Sequence, residues 1–133
     1  MMTKEKHVAY WLDIAEKDMG RAEMCFKNKD YVFCLFCLHM ALEKTIKALW
    51  VKNNEVNYPP KIHNLVTLIS NLPVGFNEED LRWLDDMNTF QLEGRYPDYV
   101  GKIYKRCTKE FTEGIMDRTK KYLECLIKEL QQK

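Results

Sequence analysis

A chain of 133 residues, 46% apolar and 31% charged, can bury one core without disulfides or a metal and is too apolar to stay disordered. Five glycines and four prolines are too few for a many-turned β fold. A net charge of +1 neither draws in nor repels a polyanion, so any nucleic-acid contact must rest on a local patch.

The opening MMTKEKHVAYWLDIAEKD is charged within its first turns, which argues against a signal peptide. A first helix is expected from about Lys4 to Lys27 with Thr3 as cap. Val8, Trp11, Leu12, Ala15, Met19, Ala22 and Phe26 recur along it at the spacing of one buried face. Asn28-Lys29-Asp30 is a polar turn, and Asp30 can cap the next helix.

That second helix, about Tyr31 to Lys52, is apolar almost all the way round. It therefore needs cover on most sides, from other helices or from a partner chain. Its longest apolar run, YVFCLFCLHMAL, is too short to span a bilayer, so a cytoplasmic protein without membrane contact is expected. His39, Glu43 and Lys47 form a polar stripe with Lys44 beside it. Either Glu43 bonds Lys44 or Lys47 on a solvated edge, or the stripe lines a cleft or a dimer seam.

Asn57-Tyr58-Pro59-Pro60 reads as an extended connector. A short third helix opens at Asn64, with Leu65, Leu68, Ile69 and Leu72 on one face, and Pro73 and Gly75 break it. His63, just before it, can bond backbone groups at the helix start or act in an acid–base pair. Asn77 caps a fourth helix whose first turn carries Glu78, Glu79 and Asp80, where carboxylates suit the helix dipole. Its buried side is Trp83, Leu84, Met87 and Phe90. A loop from Leu92 to Cys107 precedes a last helix, about Thr108 to Leu130, with Phe111, Ile115, Thr119, Tyr122, Leu126 and Leu130 on one face. Gly114 inside it suggests a close neighbour.

Four of the five cysteines, all but Cys107, fall in apolar helical patterns and read as small core residues. Cys34 and Cys37 have no second pair or nearby histidine to complete a zinc set, so neither metal nor cofactor is expected.

Charge is segregated around Arg95. Acidic residues dominate from Glu78 to Glu93; Arg95, Lys102, Lys105, Arg106 and Lys109 follow, interleaved with Tyr96, Tyr99 and Tyr104. Guanidinium groups fit phosphate oxygens and tyrosine rings stack on bases, although a basic loop can also simply neutralise an acidic helix. Gly94 and Pro97 bracket Arg95 with two conformational restraints.

Trp11, Ala15 and Asp18, then Tyr31, then Ala41, Glu43, Lys44, Lys47 and Ala48, then His63 and Leu65, then Arg95, Tyr96 and Pro97 form an ordered set. In this the chain resembles the HEPN domain (higher eukaryotes and prokaryotes nucleotide-binding) over nearly its whole length. The resemblance implies an up-and-down helical bundle that often dimerises and is often paired with a nucleotidyltransferase as toxin and antitoxin. Many HEPN proteins are metal-independent ribonucleases with an arginine followed, after four to six residues, by histidine. Here those positions are Val100, Gly101 and Lys102, and no histidine follows His63.

The expectation is therefore a single domain over residues 1–133. It is all-α, an antiparallel up-and-down bundle of four main helices and a short fifth. It binds a nucleotide or RNA phosphate without catalysis of its own. Arg95 is the principal anion ligand, Tyr96 a stacking residue, and Lys102, Lys105 and Arg106 the electrostatic guide. His39, Glu43, Lys44 and Lys47 line the opposite side. A homodimer through the second helix and a nucleotidyltransferase partner complete the expectation. The rivals are a metal-independent endoribonuclease using His63 and Arg95, and a protein-interaction module.

Overall fold

A computed structural model describes residues 3–95 and 106–132, and the side chains of 92–95 lie outside that description. Among the described residues five helices follow in order: α1 Lys4–Lys27, α2 Tyr31–Asn53, α3 Leu65–Ile69, α4 Glu78–Arg95 and α5 Lys109–Gln131. No strand occurs among the described residues.

The helix starts are set by side-chain caps, as their residue types require. Thr3, Asp30, Asn64 and Thr108 each accept from a backbone N–H three residues on. At α4 the capping is reciprocal: Asn77 Oδ1 accepts from Asp80 N–H and Asp80 Oδ2 accepts from Asn77 N–H, both at 2.9 Å. Lys29 turns the α1–α2 corner at φ 62°, in the left-handed region.

The bundle is built around α2, which packs against each of the other four helices. Leu35, Leu38, Leu42, Ile46 and Leu49 are fully buried there, each burial stabilising by about 1.5–3 kcal/mol. Taken in chain order α1, α2, α4 and α5 alternate in direction, so α2 and α5 run the same way. Trp83 and Asp80, early in α4, meet Tyr122, late in α5, while Phe90 meets Phe111 at the other end. Lys52 closes the base by donating to the carbonyls of Glu129, Leu130 and Gln132 at the end of α5.

Three sequence expectations change. Residues Leu92 to Arg95, expected to open a loop, are helical and belong to α4; the rest of that expected loop up to residue 105 lies outside the described residues. One glycine costs a helix only about 1 kcal/mol, which the rest of α4 outweighs. Gly94 thus extends a helix instead of turning the chain. Gly114 has no close neighbour: it is exposed, and an added Cβ would meet nothing within 4 Å. The apolar surface that motivated a dimer through the second helix is covered by the chain's own helices, leaving Phe33 as its exposed large apolar residue.

Cys34, Cys37 and Cys107 are buried, Cys25 is half-buried and Cys125 is exposed, so core packing accounts for the first three. Burial pushes the Cys34 and Cys37 thiols up to about 12, which keeps them protonated. No helix among the described residues is long and apolar enough to cross a membrane.

Candidate functional site

The stripe on α2 is a buried charge cluster, and the solvated-edge reading falls away. Glu43 is 0% exposed. Its Oε2 accepts from Lys44 Nζ at 3.2 Å and Lys47 Nζ at 3.1 Å, and its Oε1 faces His63 Nδ1 at 2.9 Å. Burial opposes ionisation of this carboxyl, but the charges of Lys44 and Lys47 and the bonds from His63 and Lys47 outweigh it. Its pKa is lowered from 4.5. With Glu43 ionised, His63 donates from Nδ1, and a neutral ring then presents Nε2 as an acceptor. The His63 side chain is 42% exposed, so the ring reaches solvent while one edge is fixed.

His63 therefore does not bond the start of α3, as its position suggested. Asn88 of α4 does that instead. Asn88 Oδ1 accepts from the Leu65 N–H at 3.0 Å, and its amide donates to the capping Asn64 Oδ1 at 3.2 Å. Asn88 Oδ1 also pairs with His39 Nε2 at 3.3 Å. One asparagine thus ties the chain beside His63 to α2 and α4.

His39 is fully buried, and desolvation pushes its pKa down to about 4 despite opposing contributions from Glu43, Asn88 and the His63 backbone. It is neutral at pH 7. Its Nδ1 makes no hydrogen bond of ordinary geometry.

Trp11 of α1 closes the cluster, its ring centroid 5.7 Å from Lys44 Nζ and 5.5 Å from Lys47 Nζ. Lys47 is buried, whereas the Lys44 side chain keeps 15% of its surface exposed. Beyond Lys47 a cleft of about 290 Å³ opens, walled by His7, Tyr10 and Trp11 on one side and Asn57 to Lys61 on the other.

Glu43, Lys44, Lys47 and His63 are thus brought together, with His39 one helical turn below. Arg106 is exposed and lies over the Phe111 ring, 5.6 Å from its centroid. The side chain of Arg95 and all of Tyr96, Lys102 and Lys105 lie outside the described residues. Sequence reasoning missed Asn88, which carried no motif, and assigned Asn64 only its cap. Among the described residues no group of three or more His, Cys, Asp or Glu could hold a metal ion.

A family model described as "HEPN domain" matches residues 8–130. In fold the chain is similar to the crystal structure of TT1696 from Thermus thermophilus. The TM-score is 0.78 at 22% identity, over 92% of this chain and 97% of that one. No curated protein matches the chain.

Proposed function

The chain belongs to the HEPN family, and we propose that it binds a nucleotide or an RNA phosphate without cleaving it. The observation that carries this reading is the buried, ionised Glu43, which gathers Lys44, Lys47 and His63 beside Trp11. Two lysines and an imidazole around one carboxylate leave a net positive edge, and a positive edge next to an aromatic ring matches a phosphate attached to a base. Arg95 lies two helical turns beyond Asn88 on α4, about 10 Å along its axis, and is assigned the principal phosphate contact. Tyr96, Lys102, Lys105 and Arg106 follow Arg95 in sequence and belong to the same proposal.

Calorimetric titration of ATP, GTP and short RNAs tests this. Wild type should bind at least one of them, more weakly as salt rises. Arg95→Ala and Lys44→Ala should each weaken binding about tenfold or more. Failure of wild type to bind any of them removes the reading. A second copy and a nucleotidyltransferase partner belong to the same proposal, and light scattering and co-purification test them.

One contact favours a second reading, metal-independent endoribonuclease. The Glu43–His63 bond fixes a half-exposed imidazole as a carboxylate fixes a general base. Cleavage of RNA in EDTA, lost in both His63→Ala and Arg95→Ala, would establish it. An interaction module would instead show Arg95→Ala with unchanged nucleotide affinity and weakened partner association.

A further inference from the structure

We infer that the cleft between the first turns of α1 and the 57–61 connector is a stacking site for one nucleobase, whose phosphate points to Lys44 and Lys61. The inference rests on the nucleotide-binding reading and adds a second subsite, whose base and phosphate are distinct from the phosphate assigned to Arg95.

The walls are the first argument. Tyr58 is 76% exposed and Tyr10 is 53% exposed, the two exposed tyrosines among the described residues, and both line this one cleft. Neither ring is needed to cover the core. His7 of α1 stands edge-on to Tyr58 of the connector at 5.8 Å and joins the two walls at one point, while Tyr10 stands edge-on to Trp11 at 5.6 Å within the α1 wall.

The second argument is preorganisation. Pro59 and Pro60 stiffen the outer wall, and Lys4 fixes where it begins. The Lys4 ammonium donates to the carbonyls of Val51 and Asn54 at 2.8 and 2.6 Å and to Asn57 Oδ1 at 2.9 Å, joining α1, the end of α2 and the connector. A cleft held open by covalent stiffness and three hydrogen bonds loses little entropy when a flat ligand enters.

Charge is the third. Lys47 forms the floor and Lys61 the rim, and Lys44 shares the Trp11 ring with Lys47. Against these three lysines stand the carboxylate of Glu43 and, within reach of Lys44, that of Asp18, which is paired with Arg21, so the balance stays positive and an anionic ligand is favoured. At about 290 Å³ the cleft falls at the lower end of the roughly 300–1,000 Å³ of small-molecule sites. That suits one base and its ribose, either a free nucleotide or one unpaired residue of an RNA strand.

The test titrates AMP, ribose 5-phosphate and a 5′-phosphorylated hexaadenylate into the full chain. Tyr58→Ala and Tyr10→Ala should each weaken AMP binding about tenfold or more, the loss that removing one base–aromatic stack gives. Both should leave ribose 5-phosphate unchanged, and Tyr58→Phe should restore AMP. Because Tyr58 is largely exposed, its variants should melt as wild type does. Tighter binding of the hexamer than of AMP assigns the site to RNA, and the reverse to a free nucleotide. If Tyr58→Ala and Tyr10→Ala bind AMP as wild type does while Arg95→Ala does not, the cleft is overturned and the functional reading stands. If wild type binds none of the three, both fall.

Discussion

Glu43 and Asp18 are buried carboxylates on adjacent helices, both within electrostatic reach of Lys44, yet their pKa values shift in opposite directions. Glu43 collects three donors, from Lys44, Lys47 and His63, and its pKa is lowered. Asp18 has Arg21 alone, at 2.8 Å on Oδ1, with a side chain 60% exposed; its buried Oδ2 has no hydrogen-bond partner. Desolvation therefore dominates, and the Asp18 pKa is raised despite the arginine. Burial is common to both, so the number and burial of the cations decide the sign. A core that assembles this many charges gains little stability over an apolar one. That directs attention to Glu43, not Asp18, as the organiser of a working site.

The sharpest way to break the contrast is Glu43→Gln. It strips the anion from buried Lys47 and should cost about 3–5 kcal/mol in urea unfolding at pH 7. A lowered carboxylate pKa contributes stability that is present above the unfolded value, 4.5, and lost as pH falls through the folded one. The variant should therefore also lack the part of the acid loss that lies below pH 4.5. A cost no larger than that of an Asp18 substitution would show that the two carboxylates are equivalent.

His39 sharpens the same picture from the cationic side. Its folded pKa is depressed, so its contribution is complete above pH 6.5 and disappears as pH falls toward about 4. The gap between those values corresponds to about 3 kcal/mol at the acid limit. Glu43 and His63 are the titratable groups that act on it, so the scan should be repeated in a His63→Asn background. His39→Leu should flatten the pH 4–6.5 segment in both; a slope that persists unchanged assigns it elsewhere.

The bundle was legible in the sequence because apolar faces and caps mark the helices: Thr3, Asp30, Asn64 and Asn77 act as the caps that the sequence suggests, while Thr108, read as the first residue of the last helix, caps it instead. The run of α4 past Leu92 was less so, since Gly94 looks like a break and is only a small cost inside a helix. The site was half legible. Glu43, Lys44 and Lys47 share a helix, and spacing alone aligns them. That His63, twenty residues on, turns to Glu43 is a tertiary fact fixed by Asn88, whose type and position carry no periodic signal. The aromatic cleft depends in the same way on Lys4 reaching the end of α2.

The smallest expected effect tests the other half of the contrast. The raised pKa of Asp18 means that its protonated form suits the folded chain. Its contribution is favourable below 3.8 and is lost as pH rises through the raised folded value. At pH 7 the charged carboxylate is thus a net cost, and Asp18→Asn should gain about 1 kcal/mol or less. An asparagine oxygen can still accept from Arg21, and its amide supplies a donor where Oδ2 had no partner. Because wild-type Asp18 becomes neutral in acid, the advantage should shrink toward zero in melts at pH 3. Were Asp18→Asn instead to lose stability at pH 7, the ionised form would be the one the fold requires. Arg21, exposed as it is, would then outweigh desolvation as Lys47 does for Glu43.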